Sequence, residues 1–189
     1  FFFTHKPPSP ILSGLVGSEM CIRDRFWGML HFDDGSYLDW FLPHVSPSIT
    51  MKDDTPWSQR DFFRWPNIGT GLFHDAKRNR TENFQRCTVE LERQEGENAL
   101  RDEQGNLLPR FRIKVWNGRT QVSIHLRATS RARWVFDQPT RAGFVSHLTY
   151  NEYPLEVEKI AILDEEGLRS VDDYQWIRGN AEHSWGILN

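Results

Sequence analysis

The sequence predicts an all-β chain folded as an antiparallel barrel or a strongly curved sandwich, with at most one short helix. Three observations carry this. From Phe26 onward the apolar residues recur with period two rather than 3.6. Clusters of Asp, Asn, Gly and Ser interrupt them at short intervals, as turns between strands do. Only Pro56–Arg64 carries a helix start, with Thr55 as cap and Pro56 at the first helical position. Periodicity alone leaves barrel and sandwich both open.

The first 25 residues stand apart. The chain opens Phe1-Phe2-Phe3 without an initiator Met, and Leu15–Arg25 resembles the in-frame translation of a transposon-end sequencing adaptor. Residues 1–25 are therefore set aside as non-native and expected to pack on nothing. The rest, 26–189, is expected to be one β domain. It also ends abruptly, since Trp185-Gly186-Ile187-Leu188-Asn189 stops inside an apolar stretch.

Within that domain, Phe26–Phe32 and Tyr37–Leu42 flank the turn Asp33-Asp34-Gly35-Ser36 and predict a strand pair. Pro43, Pro47 and Pro56 mark a long connection. A strand is expected at Leu72–Asp75 and a loop at Ala76–Asn83. Phe84–Arg93 alternates, with Cys87, Val89 and Leu91 on one face. After the polar connection Glu95–Gly105, Arg110–Trp116 directs Phe111, Ile113 and Val115 inward. Asn117-Gly118 then predicts a type I′ hairpin, whose two central residues need φ > 0. Thr120–Ala128 answers with Val122, Ile124 and Leu126. Arg131–Phe136, Phe144–Tyr150, Leu155–Leu163 and Tyr174–Ala181 complete about nine short strands, and Asp164-Glu165-Glu166-Gly167 is a turn.

Composition narrows the function classes. No run of about 18 apolar residues exists, so no membrane-spanning helix is expected. Ile11–Ile22 is broken by Ser13, Gly14, Gly17, Ser18 and Glu19 and makes no signal-peptide core, which favours the cytoplasm without settling the compartment. Setting 1–25 aside leaves 20 of the 23 basic and 24 of the 26 acidic residues, a net charge of −4. Cys87 is then the single cysteine, which excludes an intramolecular disulfide. His31, His44, His74, His125 and His147 show no metal-ligand spacing, so neither metal nor cofactor is expected. Arg110, Arg112, Lys114, Arg119, Arg127, Arg131 and Arg133 read as a solvated outer face paired with residues such as Glu90 and Glu92, and nucleic acid is not expected as a partner. No nucleophile elbow or phosphate-binding loop is present.

The eight tryptophans all lie beyond residue 25. A small barrel does not need so many for packing alone, so some are expected to line a cavity for a large apolar ligand. The sharpest local cluster is Gly179-Asn180-Ala181-Glu182-His183-Ser184-Trp185-Gly186. Strand alternation puts Glu182 and Ser184 on one face, His183 and Trp185 on the other. It reads either as a proton donor beside an aromatic wall or as a structural polar cluster near a barrel mouth.

A Trp-bearing strand pair with an Asp-Gly turn, a long meander and a closing Gly-x-Ala-acid-His-x-Trp segment together resemble the lipocalin-like proteins grouped with bacterial carotenoid 1,2-hydratases and AttH-type proteins. Gly179, Ala181, His183 and Trp185 match the closing motif in kind, with Glu182 in place of its Asp and a slightly shorter spacing. The resemblance implies a lipocalin-like barrel, the first of two in tandem, and hence a second barrel as partner. It implies an isoprenoid-like or lipidic ligand, with Glu182 and His183 as catalytic candidates for acid-assisted hydration or isomerisation. Trp185, Trp176, Trp40 and Trp116 are the candidate ligand-binding residues. The family also includes lipid-handling proteins, so a non-catalytic lipid-binding or carrier domain is the alternative.

Overall fold

The computed structural model describes residues 25–43, 69–139 and 145–188, and the expected helix at Pro56–Arg64 lies outside them. Eleven strands follow in order: β1 (Arg25–Phe32), β2 (Tyr37–Pro43), β3 (Thr70–Asp75), β4 (Arg80–Phe84), β5 (Arg86–Arg93), β6 (Pro109–Trp116), β7 (Gln121–Ala128), β8 (Ala132–Pro139), β9 (Val145–Asp164), β10 (Gly167–Ser170) and β11 (Ile177–Leu188). Among the described residues the only helical element is a 3₁₀ turn at Val171–Asp173. The strands pair antiparallel in the order β4-β3-β2-β1-β11-β9-β7-β6-β5, with β8 and β10 beside β9. This sheet curls into a nearly closed barrel.

Alternation builds the interior. Phe26, Leu30 and Phe32 of β1, Phe111, Ile113 and Val115 of β6, and Val122, Ile124 and Leu126 of β7 are buried, while their odd-step neighbours face out. The expected basic outer face is ion-paired: Arg112 with Glu92 at 2.6 Å, Arg110 with Glu158 at 3.0 Å, and Arg127 with Glu156.

The outer strands of the sheet, β4 and β5, are joined through Gln85 alone. Close approach at this seam needs a residue without a side chain, since a Cβ on Gly69 would lie 2.7 Å from that of Cys87. Burial pushes the Cys87 thiol up to about 12, so it packs as a small hydrophobe. Lower on the seam, Asn117 Nδ2 donates to Glu82 Oε2 at 3.0 Å and to the Asn83 carbonyl at 3.1 Å. Its Oδ1 accepts from the N–H groups of Arg119 and Thr120, both at 2.8 Å. Replacing Asn117 with Ala removes all four bonds and is expected to cost about 1–2 kcal/mol in a urea unfolding curve.

Several sequence expectations are corrected here. Asn117-Gly118 is not a two-residue type I′ turn. The loop runs Asn117–Thr120, closed by Asn117 N–H to the Thr120 carbonyl at 3.0 Å, and Gly118 is not among the residues with positive φ. The Asn117 side chain organises the turn in place of left-handed backbone. Arg80–Asn83 is strand rather than loop, because pairing with β3 overrides its charged composition. Of the expected strands Phe144–Tyr150 and Leu155–Leu163, the described residues belong to one strand, β9, which runs through Pro154. The proline is tolerated because β8 pairing ends at Glu152 and β7 pairing begins at Leu155, so no ladder bond is asked of its missing N–H. Arg25 belongs to the fold: it pairs with Ser184 and Pro43 in β1 rather than packing on nothing.

One end of the barrel is locked by charge. Asp75 at the end of β3 and Asp164 at the end of β9 are each bound by the same two arginines. Arg169 donates to Asp75 at 2.8 Å and to Asp164 at 3.0 Å, and Arg78 to the same carboxylates at 3.1 and 2.8 Å. The Arg169 guanidinium also lies over Phe73, 5.5 Å from the ring centre, where the charged layer meets the apolar core. At the other end, the connection after β5 is anchored by buried Gln94, whose Nε2 donates to the Ala128 carbonyl at 2.8 Å while Oε1 accepts from Leu100 N–H at 3.0 Å.

Candidate functional site

Strand register brings the interior groups into rows. One row runs Leu42, Phe26, His183, Asn151; the next runs Gly71, Trp40, Gly28, Ala181, Tyr153. The small residues of the second row are what make space for its large ones. A Cβ on Gly28 would sit 2.3 Å from Trp40 Cζ2, so the indole lies across the glycine. Phe26 is the hub, with its ring centre 4.9 Å from Phe111, 6.2 Å from Trp40 and 6.3 Å from His183. Phe111 in turn meets Tyr153 edge-on at 5.8 Å.

Polar groups are set into this aromatic interior. Thr149, Asn151 and His183 are buried with it. Asn151 Nδ2 donates to the His183 carbonyl over a long 3.4 Å. Asn151 Oδ1 and Trp40 Nε1 have no hydrogen-bond partner among the described residues. A buried acceptor and a buried donor left in this way are costly in an apolar setting.

Glu182 is also buried, but on the opposite, outer face of β11. Its Oε1 accepts from Arg25 Nη2 at 2.7 Å and Nε at 3.0 Å, and its Oε2 accepts from the Tyr150 hydroxyl at 2.6 Å. Glu152 stands directly across in register, and Asn180 Nδ2 donates to it at 2.8 Å. Two carboxylates facing each other on neighbouring strands repel, and the donors around them offset this. Burial, the bond to Glu182 and the nearby carboxylates together raise the Tyr150 phenol well above its ordinary range. The cluster is a carboxylate holding three donors, an arrangement that ties β1 and β9 to β11. As placed, Glu182 receives protons in hydrogen bonds and offers none.

The sequence-derived candidates thus separate. Glu182 and His183 are neighbours in the chain and lie on opposite faces of the sheet. Trp40 is inside, in the row next to His183. Trp176 is exposed at the charge-locked end, where its carbonyl accepts from Asp33 N–H at 3.2 Å and Arg178 stacks on its ring at 5.5 Å. Trp116 is at the same end, on the outside, with Lys114 at 5.4 Å and Arg86 at 6.0 Å from its ring. It borders a polar cleft of about 730 Å³ shared with Glu82, Asn83, Asn117 and Arg119 rather than an apolar chamber. Trp185 pairs with Thr149 in the ladder. Among the described residues no group of His, Cys, Asp and Glu is arranged to hold a metal ion, and no helix is long and apolar enough to cross a membrane.

Sequence reasoning missed Asn151, Tyr150 and Arg25. Asn151 and Tyr153 share a parity that the alternation of β9 would have exposed, had the strand been read through Pro154. Arg25 is the last residue of the segment whose sequence reads as non-native. Comparison with protein-family models, with curated proteins and with solved structures finds no match to this chain.

Proposed function

We propose that the barrel interior binds an apolar small molecule, isoprenoid-like or lipidic, that carries one polar group. The observation behind this reading is the pair of buried polar atoms without partners, Trp40 Nε1 and Asn151 Oδ1, among Phe26, Phe111 and Tyr153. An unsatisfied buried group costs about 1–3 kcal/mol, so a ligand hydroxyl that reaches one recovers part of that in affinity. The aromatic rings supply the apolar walls that such sites use. The resemblance to carotenoid hydratases and AttH-type lipocalin-like proteins points the same way.

A binding or carrier role is favoured over acid-assisted hydration. Protonating an alkene inside the barrel needs an acid on the inner face with a proton to give. Glu182 is on the outer face with both oxygens accepting. The test is a fluorescence titration with a polyene fatty acid and with retinol, reading tryptophan quenching. Saturable binding is expected. Asn151→Leu should weaken it about tenfold, equivalent to about 1.4 kcal/mol, and Glu182→Gln should leave it within about twofold. Absence of saturable binding for both probes would end the ligand reading. Hydration of an isoprenoid alkene that Glu182→Gln abolishes would restore the enzyme.

A further inference from the structure

β8 is bonded along one side only. Its residues pair with the first half of β9, and among the described residues no strand lies on its other edge. An unpaired edge is a template for another chain. It shows one exposed apolar side chain on each face: Trp134, against Tyr150 on the outer face, is 51% exposed, and Val135, on the other face between Arg133 and Asp137, is 40% exposed.

Folded proteins guard such edges with lysines, with proline or with charges that repel a copy. The only proline of β8 is Pro139, at its last position. Its charges are Arg133 and Asp137, each two residues from Val135. Equal spacing and opposite sign have a geometric consequence. If a second copy lies antiparallel with Val135 opposite Val135, each Arg133 faces the Asp137 of the other copy. Two-fold symmetry makes that ion pair twice. Unlike charges directly opposite across an antiparallel pair attract. Parallel pairing, or a slip of one residue, loses both pairs and turns the side chains to the wrong faces.

We propose that β8 is a self-complementary edge through which two copies of this chain join, β8 to β8, with Val135 on the two-fold axis. The sheet then continues from one protomer into the other, with Val135 against Val135 and Trp134 in register with Phe136 of the partner copy. A single-strand contact is small compared with standard interfaces, so the dimer is expected to dissociate on dilution.

Sedimentation velocity on the full chain over a wide concentration range tests this. A monomer–dimer equilibrium is expected. Arg133→Asp and Asp137→Arg should each weaken the dimer about tenfold or more, because each sets like charges opposite one another twice. Both side chains also have contacts within their own chain, so the deciding measurement mixes the two variants. In that mixture every Asp meets an Arg, and a heterodimer should form. Val135→Cys should form an interchain disulfide on mild oxidation, Cys87 being buried. If either charge variant loses its far-UV circular dichroism, Val135→Lys takes its place and should be monomeric. A full chain that stays monomeric throughout, a dimer indifferent to these substitutions, or folded variants that fail to reassociate on mixing would each overturn the proposal.

Discussion

Replacing Arg169 with Met is expected to lower stability by about 3 kcal/mol at neutral pH, read as a fall in the urea midpoint at unchanged slope. The side chain bridges Asp75 and Asp164, whose own side chains are 5% and 9% exposed. The loss falls at the low end for a broken buried pair because Arg78 still reaches both acids. The effect has a pH signature. Burial would by itself raise Asp164, but the Glu166 N–H, Arg78 and Arg169 hold it below its ordinary value. Asp102 is lowered in the same way: burial raises it, and Asn106, Arg131 and the Gln104 N–H more than compensate. A carboxylate with a depressed folded pKa contributes stability that is complete above its unfolded pKa of about 3.9 and is lost as pH falls through the folded value. Wild-type stability should therefore decline on the acid side of that point. The gap between wild type and Arg169→Met should narrow as it does. A gap that stays constant into strong acid would show that the bridge is not what Arg169 contributes.

Phe26→Ala is expected to cost about 3–5 kcal/mol and to lower the melting temperature by roughly ten degrees or more. The ring is fully buried and touches both interior rows, so its removal leaves a cavity that strands hydrogen-bonded on both sides cannot collapse to fill. Calorimetry measures the loss. If the interior binds an apolar ligand as proposed, the same cavity should change the affinity for a polyene probe. Phe26→Leu, which keeps most of the volume, should recover much of the stability. A Phe26→Ala protein as stable as wild type would mean that the aromatic cluster is not the centre of the core.

How far the chain can be read without its structure depends on the range of the forces involved. Strand alternation is local, and β1, β2, β6 and β7 follow it to within a residue or two. β4 and β10 were not legible, because charged or short segments become strands only through the neighbours they pair with. Pro154 and Asn117-Gly118 misled for a related reason. A proline signals a break only where a ladder bond is needed, and Asn-Gly signals a type I′ turn only where backbone rather than side chain closes the loop.

The candidate site shows the same division. By parity alone the sequence determined that Glu182 and His183 point in opposite directions, and that Cys87, Val89 and Leu91 share a face. Which of those directions is the inside was decided by the curl of the sheet, whose two end strands are β4 and β5. Closure puts His183 with Phe26 and turns Glu182 outward. There Arg25, 157 residues away in sequence, meets it with a guanidinium. The tryptophans were equally divided. Composition announced an aromatic-rich protein, and only the tertiary arrangement separated Trp40 in the core from Trp116 and Trp176 outside it. Period-two alternation is written into neighbouring residues. Burial and charge pairing arise between residues that the chain brings together only when it folds.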